Sequence, residues 1–470
     1  MFGRYFAFRT RQQPYMVRLS YRYEMRSAMT FPLAAALAEG AFTGVVAAKY
    51  FHASPLLIAL ITAAPMFGNI AALLWAELGK HRRKVPFINL LQAGVITCIA
   101  AVALTRLLPL EIGGWVFALM IILTRVLASG IITLRSAIWR YNYPRSLRGQ
   151  IIGRITIVAT TGLALATGLG ALWLDVDPGA FVWLYPLAAL LGAYGIWQFS
   201  HIRVRGEGRE IKQRRRATAT HFTARPENLA ETGESNVVNY TPPGARSLHG
   251  LLHDSLQVMR SDQRFRHYQY WQSLMGSAFM MMNPPLVFMV AQEMTDARTQ
   301  YALATLVLQL IPLLSSVVFT QLWSPIFDRL HILRFRSVQG LVSVTCLAVI
   351  FAGAWFDSLW IIAVGQLLMG IANAAGALAW NLGQNDFAPP DKIATYMGIH
   401  VMLTGVRGCL APFIGVILYQ QFVGRWVFAI SMLLCLIALI GFTRMARHAP
   451  SKHIRRPVHR PASPAATDRR

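Results

Sequence analysis

The chain has 470 residues, of which 55% are hydrophobic and 14% charged, yet it carries a net charge of +25 from 45 Lys and Arg against 20 Asp and Glu. Soluble domains average about 25% charged residues, and a mean hydropathy of +0.43 excludes disorder for most of the length. A nucleic-acid binder accounts for the charge but not for the long uncharged runs, whereas a multi-pass membrane protein accounts for both if the cations lie between apolar segments on one side of the bilayer.

Residues 1–26 are basic, with no short apolar run followed by a small-residue cleavage site, and are expected to be a cytoplasmic N-terminus. Apolar segments long enough to span a bilayer follow at 27–50, 54–78, 86–108, 112–137, 150–174 and 180–201. Residues 27–202 therefore form a first six-helix bundle. Residues 203–267 form a polar cytoplasmic linker containing RGEGREIKQRRR and TPPGARS. Near its end, at 247–260, Leu248, Leu251, Leu252, Leu256 and Met259 recur at helical spacing, which predicts a surface helix. Six more spans follow at 268–292, 300–325, 338–355, 358–382, 394–420 and 424–443, giving a second bundle over 268–443. Residues 444–470, rich in proline and arginine, are a disordered basic cytoplasmic tail.

With the N-terminus placed inside, 38 of the 45 basic residues fall in cytoplasmic segments and four outside: Lys49, Arg106, Arg298 and Arg425. This alternation puts both termini in the cytoplasm. The charge is thereby a topology signal and a contact for anionic lipid rather than a nucleic-acid footprint. Cys98, Cys346, Cys409 and Cys435 each lie inside an apolar run and form no metal-ligand spacing, so no metal site is expected.

The halves repeat. Gly153 and Gly170 of helix 5 fall on Gly398 and Gly415 of helix 11, and Trp75 of helix 2 on Trp323 of helix 8. The fold class is all-α membrane, with twelve transmembrane helices as two parallel six-helix repeats. This architecture resembles the major facilitator superfamily from about residue 20 to 445. The loop WAELGKHRRKVP keeps that family's basic cluster without its Asp-Arg pair, while SPIFDRLHILRFR retains Asp328 and Arg329. Helix 5 resembles the family's antiporter glycine motif, with Ala166-Thr167 in place of its Gly-Pro step. The stretch WNLGQNDFAPP…YMGIHVMLTGVRG looks like bacterial members, which implies a bacterial inner membrane.

Polar residues inside spans indicate which helices line a path. Helices 6, 9 and 12 have almost none at mid-depth and helix 3 only Gln92, whereas helices 1, 2, 4, 5, 7, 8, 10 and 11 hold the rest. The resemblance implies a cavity lined by helices 1, 4, 7 and 10. Glu39 and Arg125 both fall near the midplane. They are expected to form an ion pair, with Glu39 a candidate proton carrier; the alternative is a static fastening of helix 1 to helix 4. Arg407 is also near mid-depth, either binding substrate or bonding backbone carbonyls at the helix 10/11 contact. His400, Thr404 and Arg407 share one face, with His400 expected to be structural. One acid against two bases favours an anionic or carboxylate-bearing solute. Pro284-Pro285 is expected to break helix 7 as a gate, beside Gln272, Asn283 and a methionine-rich wall. Asn373 is a cavity candidate. Asn381, Gln384, Asn385 and Asp386 are expected to form an inner gate contact to Arg140 or Arg148.

No phosphate-binding loop, G-x-S-x-G or H-E-x-x-H is present, and no paired carboxylates lie at mid-depth, so an enzyme is not expected. The expected function is secondary transport of a small organic solute by alternating access, without a cofactor and with possible proton coupling. The alternative is a receptor or assembly partner on the same fold.

Overall fold

The computed structural model describes residues 14–79, 82–208, 248–296, 298–389 and 393–448. Residues 209–247, which hold most of the linker and its motifs, the tail from 449 and the first thirteen residues lie outside the described residues. Among the described residues twelve helices are long and apolar enough to cross a membrane. We number these α1, in two pieces (Tyr15–Ala36 and Gly40–Tyr50), α2 (Pro55–Gly79), α3 (Lys84–Ala101), α4 (Leu110–Asn142), α5 (Arg145–Val176) and α6 (Phe181–Ser200) in the first half. The second half holds α7 (Gln263–Phe288), α8 (Tyr301–Arg329), α9 (Ile332–Trp355), α10 (Leu359–Leu382), α11 (Ile393–Ile417) and α12 (Trp426–Arg447). An amphipathic helix, Leu248–Ser261, precedes α7.

The repeat is visible in the packing. In the first half α1 packs on α5 and α6, α4 on α2 and α3, and α3 on α6; the same five pairings recur as α7 on α11 and α12, α10 on α8 and α9, and α9 on α12. A side-chain bond repeats with them. Trp75 Nε1 donates to the Val126 carbonyl at 2.8 Å, and Trp323 Nε1 donates to the Ile371 carbonyl at 3.0 Å. Many large apolar side chains, including Leu119, Leu169, Trp183 and Leu433, are exposed, as a surface facing lipid tails requires.

Two helices depart from expectation. The first begins at Tyr15 rather than 27, because Val17, Ser20 and Glu24 of this stretch are buried in the bundle instead of lying in a basic tail. It is also interrupted. Leu37, Ala38 and Glu39 donate to carbonyls three residues back, Glu39 is extended (φ −135°, ψ 147°), and Gly40 has φ +72°. Gly40 is required here, since a Cβ would be strained at that φ and would meet the Gln309 amide oxygen at 2.5 Å. Conversely, Pro284 and Pro285 do not break α7, which runs on to Phe288 and then a π-helical turn, Met289–Glu293. Two prolines release the carbonyls of Met280 and Met281, and Gly415 of α11, having no Cβ, packs against the Met281 carbonyl. The close neighbour stabilises the distortion that an isolated helix would not tolerate.

A fully buried carboxylate holds the first half together at the end bearing the termini. Glu24 accepts from Arg135 Nε at 2.7 Å, Trp139 Nε1 at 2.6 Å and the Tyr143 hydroxyl at 2.5 Å. Removing one partner of a buried ion pair costs about 3–5 kcal/mol. Glu24→Ala is therefore expected to lower the unfolding temperature of the purified protein by several degrees; an unchanged melting curve would contradict the role given to this group.

Candidate functional site

Between the halves lies a cavity of about 370 Å³. Its walls come from α1, α2 and α4 on one side and α7, α8, α10 and α11 on the other. Helices 1, 4, 7 and 10 do line it, joined by the faces of α2, α8 and α11.

The break in α1 opens onto this cavity. Stopping a helix leaves backbone groups without intrahelical partners. Gln309 Oε1, from a π-helical turn of α8, accepts from Phe42 N at 2.7 Å, and the Tyr185 hydroxyl donates to the Leu37 carbonyl at 3.1 Å. With these bonds made, Glu39 points from the break to Arg125 on α4, with Oε2 and Nη1 3.0 Å apart. The carboxylate is 40% exposed and the guanidinium 15%. The pair is thus wetted from the cavity rather than sealed in the bundle. Thr43, Thr62, Asn283, Gln366 and Asn373 are the uncharged polar side chains of the lining; Met280, Met282 and Met369 are part of its apolar wall. Glu39 and Arg125 are the lining's one acid and one base.

Of the six substrate candidates the structure brings four to the cavity: Glu39, Arg125, Asn283 and Asn373. Gln272 and Arg407 are elsewhere. Arg407 Nη1 donates at 3.0 Å to the Gln272 carbonyl, and its guanidinium lies over Gly276, where a Cβ would meet Cζ at 2.5 Å. It bonds a backbone carbonyl of α7, not one at the α10/α11 contact. With Arg407 outside the lining, the count of two bases against one acid no longer describes the cavity.

The gate candidates also fall differently. Pro284 and Pro285 are buried within α7. Asp328 and Arg329 are exposed at the end of α8. Asp386 Oδ2 accepts from Ile332 N at 2.8 Å, capping α9 within its own half, while Arg148 donates to the Arg140 and Tyr143 carbonyls at 3.1 Å. Asn381 and Gln384 bond carbonyls of their own helix. The expected contact of this cluster to Arg140 or Arg148 is not among these bonds.

Bonds between the halves gather instead at the end opposite the termini. Lys49 Nζ donates to Thr295 Oγ1 at 2.9 Å and to the Asp296 carbonyl. Gln292 donates to the Ala48 carbonyl, and Asp175 accepts from Tyr301 N and Ala302 N at the start of α8. The Asp296 carboxylate is turned onto its own loop: the amides of Arg298 and Thr299 hold it below the usual carboxylate range, which leaves its carbonyl for Lys49. At the other end, Gly153 of α5 and Gly398 of α11 have open space where a Cβ would project. The bonds that close the cavity between the halves are therefore those of the far end.

Sequence reasoning placed Glu39 and Arg125 by depth, and missed Gln309, Gln366, Lys49, Asp175 and Glu24. The signal for Gln309 and Gln366 was present, each being a glutamine inside an apolar span. Among the described residues no group of three His, Cys, Asp or Glu is placed to hold a metal ion.

Comparison with known proteins agrees with this architecture. A family model for the Major Facilitator Superfamily matches residues 272–467. The MFS-type transporter ucsD of Acremonium sp is 30% identical over 154 residues, covering 32% of this chain; the matched stretch spans 24% of that relative's length. Among solved structures, a D-xylose-proton symporter superposes with a TM-score of 0.64 at 12% identity, covering 92% of this chain and 97% of that one. The nucleoside transporter NupG does so with a TM-score of 0.60 at 15% identity, covering 91% and 98%. A peptide-transporter-family protein bound to 5-aminolevulinic acid gives 0.62 at 14%, covering 92% and 97%. The fold is the major facilitator fold of a multi-pass membrane protein.

If Lys49 latches the far end, its loss shifts the halves toward opening there. A charge-assisted bond is worth about 1.5–3 kcal/mol, enough to move a two-state equilibrium at least about tenfold. Lys49→Met is expected to speed thiol labelling of a Thr305→Cys reporter, now fully buried in α8, by that order. Equal labelling rates would show that the latch carries no weight.

Proposed function

We propose that the chain is a secondary transporter that moves a small organic solute across the membrane by rocking of its two halves about the central cavity. The observation that carries this reading is the Glu39–Arg125 pair at a helix break, exposed to a cavity closed at one end. A helix broken at such depth offers polar backbone to a ligand only because the break faces water rather than lipid. The clustering of Lys and Arg in the segments joined to the termini supports a cytoplasmic position for that end. This orientation supports reading the chain as a bacterial inner-membrane transporter closed toward the outside.

The pair also suggests how a proton and a solute are coupled. While Glu39 is ionised it occupies Arg125. A proton on Glu39 removes the charge and frees the guanidinium for an anionic or carboxylate-bearing solute, since a fork of N–H donors matches a carboxylate. Asn283, Gln366 and Asn373 face the same space with amides able to bond the rest of the solute. Release of the solute returns Arg125 to Glu39 and expels the proton. Partners other than solute and lipid are not required by this cycle, and anionic lipid at the cytoplasmic face fits the basic loops.

The test is a thermal-shift screen of purified protein against anionic, neutral and cationic metabolites at two pH values, followed by transport of any stabilising compound. A carboxylate-bearing hit is expected to disappear in Arg125→Ala. Glu39→Gln is expected to keep exchange of solute across the membrane but lose accumulation driven by a pH gradient. Undiminished accumulation in Glu39→Gln would sink the coupling, and hits confined to cations would sink the substrate class.

A further inference from the structure

The second half contains a buried cationic cluster that the cavity does not use. Arg336 of α9 is 2% exposed, His400 of α11 is 0% and Gln269 of α7 is 1%. Arg336 Nη1 donates to Gln339 Oε1 at 2.7 Å, and His400 Nδ1 lies 3.2 Å from Gln269 Oε1. Arg336 is close enough to act electrostatically on both His400 and Arg407. The remaining polar atoms have no partner: Arg336 Nε and Nη2, Arg407 Nε, Gln269 Nε2 and His400 Nε2. Among the described residues neither arginine has a carboxylate partner; the ion pairs of Arg425 with Glu293 and Asp357 lie at the far end of the bundle.

A guanidinium does not shed its proton in a protein. Burying an unpaired ion in a low-dielectric interior costs far more than burying a neutral polar group, and two guanidinium groups together raise that cost by repulsion. The first half shows how such a cluster is balanced. Ser20, which bonds Asn142 at 3.0 Å, corresponds in the repeat to Tyr268, which stacks near Phe387 with ring centroids 4.8 Å apart. The same offset, which also relates Trp75 to Trp323, sets Glu24 against Gln272. Glu24 is a carboxylate with three donors, whereas Gln272 Oε1 is buried with none. At this place the second half therefore has two arginines without a carboxylate and an amide where the first half has its anion.

We infer that Arg336, Arg407 and Gln269 hold a small inorganic anion of chloride's size inside the second bundle, with the His400 ring positioning the Gln269 amide. The unpartnered nitrogens are closed to solvent, which favours a desolvated monatomic ion over the larger organic solute of the cavity. Gln269, Arg336 and Arg407 come from α7, α9 and α11, so the ion ties these helices together. Arg407, half-buried and adjacent to the cavity-lining Gly408, provides the side from which the ion enters. The site is separate from the Glu39–Arg125 pair and does not depend on transport.

The test is thermal unfolding of the full-length protein in detergent, in sodium chloride, sodium sulfate or sodium gluconate at equal ionic strength. Chloride is expected to raise the unfolding temperature saturably by about 3 °C or more over gluconate, and sulfate is expected not to. Arg336→Gln should abolish the chloride response. Gln272→Glu, which supplies a carboxylate where the first half has one, should unfold in gluconate at the wild-type temperature in chloride and respond to chloride no further; this variant decides the matter should Arg336→Gln fail to fold. Equal stability of the wild type in chloride and gluconate, stabilisation by sulfate alone, or a chloride response retained in Arg336→Gln or Gln272→Glu would each overturn the assignment. Solute transport is read separately, so loss of this site leaves the transport reading standing, and the reverse.

Discussion

The cost of placing charge inside a lipid-surrounded bundle governs this structure. Glu39 and Arg125 meet it by pairing across α1 and α4 at the edge of a wet cavity. Glu24 meets it with three donors and no exposure to solvent. The two solutions differ in what they permit. A buried carboxylate held by three donors fastens helices, whereas a carboxylate that keeps a wetted side can exchange partners or take a proton. The interruption of α1 separates the two: its first piece carries the fastening acid and the break carries the exchangeable one.

The break depends on contacts from both halves. Gln309 of α8 caps the second piece of α1, and Gly40 is shaped to that amide by its positive φ and missing Cβ. Tyr185 of α6 takes the carbonyl at the end of the first piece. The geometry of Glu39 is therefore sensitive to the position of the opposite half. This is a link through a discrete pair of packed elements rather than through general flexibility.

The number of spans and the depth of the polar residues were legible in the sequence because they depend on one-dimensional quantities. Spans follow the order of apolar runs, and depth follows from counting 1.5 Å per residue; by that count Glu39 and Arg125 come level. The face a side chain presents was less legible. Arg407 has the right depth but lies over Gly276, a direction fixed by which neighbour lacks a Cβ. The break in α1 falls in Ala-Glu-Gly, where the local sequence is a poor helix stop and the cap comes from a residue 267 positions away. The double proline in α7 gave the opposite error, since Gly415 sits where it shields a released carbonyl. Gly370 shows the same limit: it occupies the repeat position of Arg125, and the pairing of Trp75 with Val126 and Trp323 with Ile371 reveals this only in three dimensions.

That correspondence makes the cavity asymmetric. The half with α1 and α4 supplies both charges, and the other supplies amides: Asn283 on α7, Gln366 and Asn373 on α10. Since Glu39 and Arg125 belong to one half, rocking of the halves does not require the pair to separate. The bonds that must break for the far end to open are those from Lys49, Gln292 and Asp175, which join different halves and are mostly made to backbone groups. Backbone partners keep these bonds specific in geometry without leaving a second buried charge behind when they part, whereas breaking a buried ion pair would strand one. A latch of this kind can close and release at modest cost.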